Sequence, residues 1–261
     1  MPILRLIPVL FIKNGLIVRS QQFSKHQIIG NVISQAERLN EWNADELIYI
    51  DISRDKKYDA RRDDMSIKSM NNIIDIIQEI SKVCFMPLSF GGGIRSVSDA
   101  VQRIRTGADK IIVNHLLHES QEIVKDISRT LGAQAIIGSI DYQLIDGTPI
   151  VFSQYGNKKT NYDLFEFIKI CEDIGIGEIF LQNIQLDGSA QGFDQEIIEK
   201  AVSCTGLPVI ACSGAGLAEQ FSKPAKVKGL SALAAGNIFN FTERAYPNIK
   251  KYLKEDNVNV R

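Results

Sequence analysis

The chain has 261 residues, of which 30 are Lys or Arg, 31 are Asp or Glu, and 44% are hydrophobic. That apolar fraction excludes a disordered chain and a coiled coil, and the length suits one α/β barrel, which commonly fills about 250 residues. A net charge of −1 and a pI near 6.3 give no electrostatic reason to expect nucleic acid or a membrane as partner, and no apolar run reaches the roughly 18 residues of a transmembrane helix.

Short β-branched runs alternate with amphipathic stretches along the whole chain. Strands are predicted at 5–9, 47–50, 86–90, 110–113, 135–140, 178–181, 208–211 and 232–235. Helices are predicted at 28–39, 67–81, 97–105, 119–130, 162–173, 194–202 and 218–221, with a last one near 246–255. Eight apolar strand–helix units without a composition break predict an α/β fold, a single (β/α)8 (TIM) barrel; an open doubly wound sheet is the alternative.

The second half of the chain repeats the first. Residues 7–12 before Asn14-Gly15 match residues 136–141 before Asp146-Gly147, and residues 46–52 match residues 178–184. The glycine turn at 91–94 matches the turn at 213–217, in the same order. These matches predict an internal two-fold repeat within one barrel spanning 1–261, with half-barrels at about 1–131 and 132–245 and a C-terminal helix at 246–256.

Two glycine-rich turns follow the third and seventh predicted strands, on the face where this fold carries its active sites. Glycines let backbone N–H groups converge on an anion, and a following helix N-terminus adds a favourable dipole. One phosphate site is predicted at Gly92, Gly93 and Asn114, and a second at Gly214, Gly216, Gly236 and Asn237. The alternative is that these glycines only form tight turns.

Polar residues end several other strands. They are Asp51, Asp141, Gln182, Asn183 and Asp187, the last followed by Gly188. Asp141 is the candidate general acid or base, and its partner in the repeat, Phe11, can do neither. Asp51 and Asp187 have a structural alternative, which is to cap helices or hold loops. His26, His115 and His118 have no Ser or Cys partner readable from the sequence, and His115-x-x-His118 is only a weak metal pattern, so no metal site is predicted.

Charged residues stand at the opposite, N-terminal ends of four strands. They are Arg5, Glu46, Lys110 and Glu178. Charges that enter a barrel core need partners, so two cations and two carboxylates are predicted to close a ring across its base. Such a ring is a polar plug or a gate for a small molecule. Ordinary solvent-facing strand ends are the alternative.

The cysteines and the N-terminus bear on the compartment. Cys84, Cys171, Cys204 and Cys212 are widely spaced and form no CxxC pair, which favours buried thiols in a reducing compartment. The N-terminal residues lack the pattern of a signal peptide. A cytoplasmic location is therefore predicted.

Motifs along almost the whole chain resemble one family. They include Lys13-x-Gly15, Asp45-Glu46-Leu47, Gly91-Gly92-Gly93-Ile94, Gly107-Ala108-Asp109-Lys110, Val113-Asn114, Ile140-Asp141, Gly177-Glu178-Ile179, Asp187-Gly188, Ser213-Gly214-Ala215-Gly216 and the closing Asn257-Val258-Asn259-Val260-Arg261. With these motifs the chain is similar to the cyclase subunit of imidazole glycerol phosphate synthase, the HisF family.

The resemblance implies a cofactor-free lyase subunit that receives ammonia from a partner glutaminase and uses it on a substrate with two phosphates. It implies that Arg5, Glu46, Lys110 and Glu178 form the ammonia gate, and that Asp109 belongs to the glutaminase interface at the N-terminal barrel face. It adds Arg19, His115 and Ser213 to the substrate site. The full set of substrate-binding candidates is Arg19, Asp51, Gly92, Gly93, Asn114, His115, Gln182, Asn183, Asp187, Gly188, Ser213, Gly214, Gly216, Gly236 and Asn237.

The chain also departs from the family pattern. Of the family's two catalytic aspartates, Asp141 is present and Phe11 replaces the first. Arg19 replaces a lysine, Cys212-Ser213 replaces Ser-Gly, His115 replaces a threonine, and the charged segment 53–66 is an insertion. Losing one of two paired acid–base groups typically costs about 10²–10⁴-fold in rate.

An intact ammonia path with impaired cyclisation resembles the family branch associated with surface-polysaccharide clusters, where a third protein amidates or amidinates an acetamido sugar. That is the first hypothesis. The alternatives are a genuine cyclase in histidine biosynthesis that tolerates Phe11, and a non-catalytic ammonia conduit that activates the glutaminase.

Overall fold

The structure is a computed structural model that describes residues 3–54, 58 and 70–261. Apart from residues 53, 54 and 58, the inserted segment 53–66 lies outside the described residues, as do residues 67–69 of the predicted helix 67–81. The strands are β1 (Arg5–Lys13), β2 (Leu16–Gln21), β3 (Lys25–Asn31), β4 (Leu47–Asp51), β5 (Leu88–Gly91), β6 (Lys110–Val113), β7 (Ile136–Ile145), β8 (Thr148–Ser153), β9 (Lys158–Asp163), β10 (Glu178–Asn183), β11 (Val209–Cys212) and β12 (Ala232–Ala235).

Eight of these strands form a closed parallel barrel in the order β1-β4-β5-β6-β7-β10-β11-β12. The barrel closes where β12 pairs with β1, with Arg5 opposite Ala232 and Pro8 opposite Ala235. These eight strands are the eight predicted from the sequence, shifted by a few residues at their ends. The (β/α)8 prediction is confirmed, because an open doubly wound sheet has no pairing between its first and last strands.

Helices cover the outside of the barrel. They are α1 (Val32–Glu41), α2 (Ile73–Ser81), α3 (Val97–Thr106), α4 (His115–Glu119), α5 (Gln121–Leu131), α6 (Leu164–Ile174), α7 (Gln195–Ser203), α8 (Ser222–Ala225), α9 (Ile238–Phe241) and α10 (Ala245–Glu255), with 3-10 turns at Ala133–Ala135 and Ala218–Phe221. In the described part of the chain, no helix is both long and apolar enough to cross a membrane.

Several predicted helix starts were wrong because side-chain caps and hairpins override the apolar spacing. The segment predicted as helix 28–39 begins as strand β3, and Asn31 starts α1 by accepting hydrogen bonds from the N–H groups of Ile33 and Ser34. Asp163 delays α6 in the same way, and α2 begins after its cap, Asn72. Predicted helix 119–130 is α5 alone, since a break at Ser120 separates it from α4.

Two antiparallel hairpins leave the barrel at equivalent points. The turn Asn14-Gly15 joins β1 to β2, and Asp146-Gly147 joins β7 to β8; β3 and β9 extend each hairpin. Such Asn-Gly and Asp-Gly dipeptides favour tight hairpin turns. The predicted two-fold repeat therefore has a structural counterpart, while the predicted half-barrel boundaries stay a prediction.

The core has two compartments. The larger one lies between the outer faces of the strands and the helices. The smaller one fills the barrel and includes Ile7, Ile48, Ile137, Phe180 and Ile210. Strand β12 contributes only Ala232 and Ala234 to this interior, so the wall beside it is lined by small side chains. The polar candidates lie above and below this apolar interior.

Candidate active site

Asp141 lies buried at the C-terminal end of the barrel interior, held by neighbouring strands. Its Oδ2 accepts a hydrogen bond from Asn114 Nδ2 at 3.1 Å, and its Oδ1 accepts one from Gln182 Nε2 at 3.0 Å. The Ser139 hydroxyl is 3.5 Å from Oδ1. The structure thus brings three of the predicted site residues, Asn114, Asp141 and Gln182, into one hydrogen-bonded group.

The ionisation of Asp141 is strongly perturbed. Burial disfavours the carboxylate and raises the pKa of Asp141 from 3.8 to about 7, even though the hydrogen bonds from Gln182, Ser139 and Asn114 act in the opposite direction. The negative charge of Asp187 adds to the increase. A carboxyl group with this pKa exchanges a proton near neutral pH, which suits a general acid or base.

Phe11 occupies the barrel mouth as part of the interior apolar cluster. It packs with Val9, Val18 and Ile50, and it borders a narrow cleft that holds only about 20 Å³ of free space. No carboxylate is present on β1 at this level. Strand β1 is therefore apolar at the height where its counterpart β7 presents Asp141.

The first glycine turn lies against the end of β4. Gly92 has a φ of +101°, and a Cβ atom placed there would lie 2.2 Å from the carbonyl oxygen of Asp51, so only glycine fits. The N–H groups of Gly92 and Gly93 have no recorded acceptor among the described residues. His115, the neighbour of Asn114, is half-exposed at the start of α4, with Nε2 3.7 Å from Glu119 Oε2. The turn can offer backbone donors to an anion.

The second glycine turn lines the cleft beside Phe11. The residues around it are Phe11, Asp187, Gly188, Cys212, Ser213, Gly214, Ala215, Ala235, Gly236 and Asn237. Gly214 has a φ of +94°, and a Cβ atom there would lie 2.0 Å from the Gly192 carbonyl oxygen. The N–H groups of Gly214 and Gly236 have no recorded acceptor among the described residues. Gly216 is different, because its N–H donates to Gln220 Oε1 at 2.8 Å.

Asp187 and Asn237 hold the first hairpin. Asp187 Oδ2 accepts hydrogen bonds from Ser20 Oγ at 2.6 Å and from the Phe23 N–H at 3.2 Å, and Asn237 Nδ2 donates to the Ser20 carbonyl at 2.9 Å. A Cβ at Gly188 would lie 2.5 Å from that same carbonyl oxygen. Burial raises the pKa of Asp187. These contacts are the loop-holding alternative that the sequence left open.

Three further candidates are engaged elsewhere. Asp51 Oδ1 accepts from the Ser53 hydroxyl at 2.6 Å, and its Oδ2 accepts from the Tyr58 hydroxyl at 2.6 Å. Asn183 caps the turn after β10 through Oδ1 and donates to Asp194 through Nδ2. The Arg19 guanidinium lies 5.5 Å from the centre of the Phe241 ring. These three side chains are not in the Asp141 group.

The four charged strand-start residues converge at the N-terminal end of the barrel. Arg5 bonds both Glu46, at 2.8 Å, and Glu178, and Lys110 Nζ bonds Glu178 Oε2 at 2.8 Å. Burial opposes the charge on Arg5, but Glu178 and Glu46 outweigh it and raise its pKa. The predicted closed ring is wrong in one respect: no bond joins Lys110 to Glu46 among the described residues, so the four form an open chain.

Asp109 lies on the exposed loop before β6, at the same end of the barrel, and its Oδ2 accepts from the Leu88 N–H at 2.8 Å.

Sequence reasoning missed two polar residues near the first glycine turn. They are Tyr58, which binds Asp51, and Arg103 of α3, whose Nη2 donates to the Gly92 carbonyl at 2.9 Å. An arginine on the buried face of α3, one turn after Ala100, was the available signal. Within the described ranges, no cluster of three or more His, Cys, Asp or Glu side chains could hold a metal.

Comparison with known proteins adds independent information. A family model described as histidine biosynthesis protein matches residues 5–245. The imidazole glycerol phosphate synthase subunit HisF of Corynebacterium glutamicum is 34% identical over 265 residues, covering 99% of this chain and 98% of the relative. The chain belongs to the HisF family. The HisF subunits of Hydrogenobaculum sp. and Saccharolobus solfataricus are each 33% identical, over 98% of both chains.

Membership of the HisF family is thus confirmed over almost the full chain. The resemblance to the sugar-amidating branch is a finer statement, and these relatives carry the HisF name alone. Phe11 on β1 and Arg103 on α3 bear most directly on the chemistry of the mouth.

Proposed function

We propose that this HisF-family chain is the ammonia-accepting subunit of a glutamine amidotransferase that serves sugar amidation or amidination in surface-polysaccharide synthesis. A glutaminase docks at the N-terminal barrel face near Asp109, and a third protein carries the acetamido sugar. The observation that carries the proposal is Phe11: a phenyl ring stands where cyclisation chemistry would need an acid or base, while Asp141 and the charged floor are retained.

The floor supports ammonia transfer through its chemistry. Arg5, Glu46, Lys110 and Glu178 place donors and acceptors across the base of the barrel, and small rearrangements of such ion pairs open a gap for a molecule the size of ammonia. Above them the wall is apolar, and the small side chains of Ala232 and Ala234 line one side. A neutral ammonia molecule crosses such a lining at less cost than ammonium, because the lining offers few partners for a charge.

The two glycine turns support a phosphorylated ligand at the mouth. Gly92 and Gly93 on one side, and Gly214 with Gly236 on the other, have amide N–H groups without an acceptor among the described residues, which suits them to bind phosphate oxygens. Asp141 lies at the same end of the barrel with a pKa of about 7. In its carboxylate form it takes up the proton released when ammonia adds to a carbonyl carbon, a step in which the C=O π bond breaks and its electron pair passes to the oxygen.

The second candidate function is a genuine cyclase of histidine biosynthesis. It is favoured by the identity of about one third, over nearly the whole chain, to relatives named imidazole glycerol phosphate synthase subunit. In this case Asp141 acts without a second aspartate. A third candidate is a conduit that only activates the glutaminase, and this function does not require Asp141.

One assay separates the cyclase from the other two candidate functions. The purified chain is given the phosphoribosyl aminoimidazole-carboxamide substrate with an ammonium salt, and imidazole glycerol phosphate is measured. We expect no turnover by the wild type and restored turnover in Phe11→Asp. The matched control is Phe11→Asp combined with Asp141→Asn, which should be inactive. Turnover by the wild type would establish the cyclase instead.

The conduit candidate is tested by ligand binding. If inorganic phosphate at millimolar concentration binds neither glycine turn, the mouth has no phosphorylated substrate and the conduit function is favoured. Binding at both turns supports a substrate with two phosphates.

A further inference from the structure

Arg103 is a buried cation beside the first glycine turn. The residue is 4% exposed, its Nη2 donates to the Gly92 carbonyl at 2.9 Å, and its Nη1 donates to the Asp99 carbonyl at 3.2 Å. A Cβ placed on Gly93 would lie 3.3 Å from Nη2. The guanidinium therefore lies directly against the turn whose N–H groups have no acceptor among the described residues.

The charge of Arg103 is incompletely compensated. Its recorded acceptors within the described residues are two neutral carbonyls, and its Nε has no hydrogen-bond partner. Two carboxylates act on it across space, those of Asp99 and Asp51. Both are bound elsewhere, Asp99 to the Arg95 N–H at 2.9 Å and Asp51 to Ser53 and Tyr58.

Burying a guanidinium with neutral partners costs stability, and a leucine of similar volume would avoid that cost. An anion that binds next to the cation offsets this cost, because hydrogen bonds between charged groups are stronger than hydrogen bonds between neutral groups. The neighbouring surface is the Gly92–Gly93 turn. A phosphate bound there would be a directly bound counter-ion, which Arg103 does not have among the described residues.

We propose that Arg103 is the positioning cation of the first phosphate site. It holds the Gly92 carbonyl, so that the N–H groups of Gly92 and Gly93 face the mouth, and it makes the local potential positive. This inference rests on the proposed function, in that it assumes a phosphate group at the turn. It adds a residue that strengthens phosphate binding on one side of the mouth and leaves the Gly214 side unchanged.

The test is a titration of the ¹⁵N-labelled full-length chain with inorganic phosphate at constant ionic strength. Binding is monitored by NMR through the chemical shifts of the amide groups of Gly92, Gly93 and Gly214. For Arg103→Leu we expect the Kd reported by Gly92 and Gly93 to rise about tenfold, the usual effect of losing a charge-assisted interaction. The Kd reported by Gly214 should not change. Arg105→Leu, an exposed arginine on the same helix, is the matched control and should bind as the wild type does.

Two further measurements keep the outcome clear. Arg103→Lys keeps the charge without the planar guanidinium, so its Kd for phosphate should stay within about threefold of the wild type. A Kd about tenfold weaker, as expected for Arg103→Leu, would overturn the role of charge. If the leucine variant does not fold, the lysine variant decides whether the charge contributes to binding. The melting temperature of Arg103→Leu should not fall. Wild-type affinity in Arg103→Leu overturns the inference alone, whereas no shift at either turn in the wild type overturns the phosphate-binding part of the proposed function.

Discussion

Phe11 and Asp141 are equivalent residues in the two halves of the barrel. Each is the first residue of its strand to pair with the hairpin, Phe11 with Val18 and Asp141 with Phe152. Each also faces the next barrel strand, where Phe11 lies opposite Ile50 and Asp141 lies opposite Gln182. The mouth therefore carries an apolar pair, Phe11 with Ile50, and an equivalent polar pair, Asp141 with Gln182, in the same backbone arrangement.

Phe11→Ala should destabilise the chain by about 3 kcal/mol, since it removes a buried aromatic ring from the interior cluster and leaves a cavity beside the cleft. Urea unfolding followed by circular dichroism measures the change. Phe85, which is 81% exposed, provides the control: Phe85→Ala should change the unfolding free energy by no more than about 0.5 kcal/mol. Equal losses in the two variants would show that Phe11 does not pack as described.

Asp141→Asn should change how stability depends on pH. Burial raises the pKa of Asp141 from 3.8 to about 7, so the native state holds a proton that the unfolded chain releases from about pH 4 upward. This stabilisation is complete below about pH 4 and is lost as the pH rises through about 7. Asparagine cannot ionise and loses nothing.

The free energy of unfolding of the variant, relative to that of the wild type, should therefore rise by at least about 1 kcal/mol between pH 5 and pH 8. Urea unfolding of both proteins at pH 5 and at pH 8 measures this change. A difference between variant and wild type that stays constant with pH would contradict the buried, proton-binding carboxyl group.

Glu178→Gln should be the more damaging of the two carboxylate changes at the floor. Glu178 bonds both Arg5 and Lys110, whereas Glu46 bonds Arg5 alone within the described part of the chain. Removing Glu178 leaves two cations without their shared partner, and we expect a loss of about 2 kcal/mol against about 1 kcal/mol for Glu46→Gln, because both cations keep some contact with water. Thermal unfolding measures both. Glu196→Gln, which breaks an exposed pair with Lys200, should have no measurable effect.

Gly214→Ala should disrupt the second glycine turn. The new methyl group would have to fit 2.0 Å from the Gly192 carbonyl oxygen at a φ of +94°, so we expect a loss of about 2 kcal/mol or more. Gly147→Ala is the matched control, because its φ of +79° carries a similar conformational cost but nothing lies within 4 Å of the added atom. It should lose about 1 kcal/mol. Urea unfolding gives both values, and equal losses would contradict the close contact.

The barrel strands were predictable because parallel strands covered on both faces read as continuous apolar runs. The hairpin strand β3 was not, since the segment Lys25–Asn31 is largely exposed and has no apolar face that separates a strand from the start of a helix. The side chain of Asn31 decides where α1 begins, and such a local hydrogen bond is visible only once the hairpin is in place.

Convergence at the floor was predictable in outline, because strand starts of one barrel meet at one end. The missing bond between Lys110 and Glu46 depends on side-chain conformation, which strand position alone does not determine. Arg103 could not be found from strand ends at all, since it reaches the first glycine turn from a helix.

The turn between β2 and β3 lies close to the turn between β8 and β9. A Cβ on Gly156, between β8 and β9, would lie 3.4 Å from the Phe23 ring and 3.0 Å from Ile184, and Asp187 fixes Phe23 from the same side. We expect that displacing either turn loosens the packing around the other, so the two turns should lose hydrogen-exchange protection together. Structural duplication has thus placed two equivalent turns side by side at the rim of the barrel.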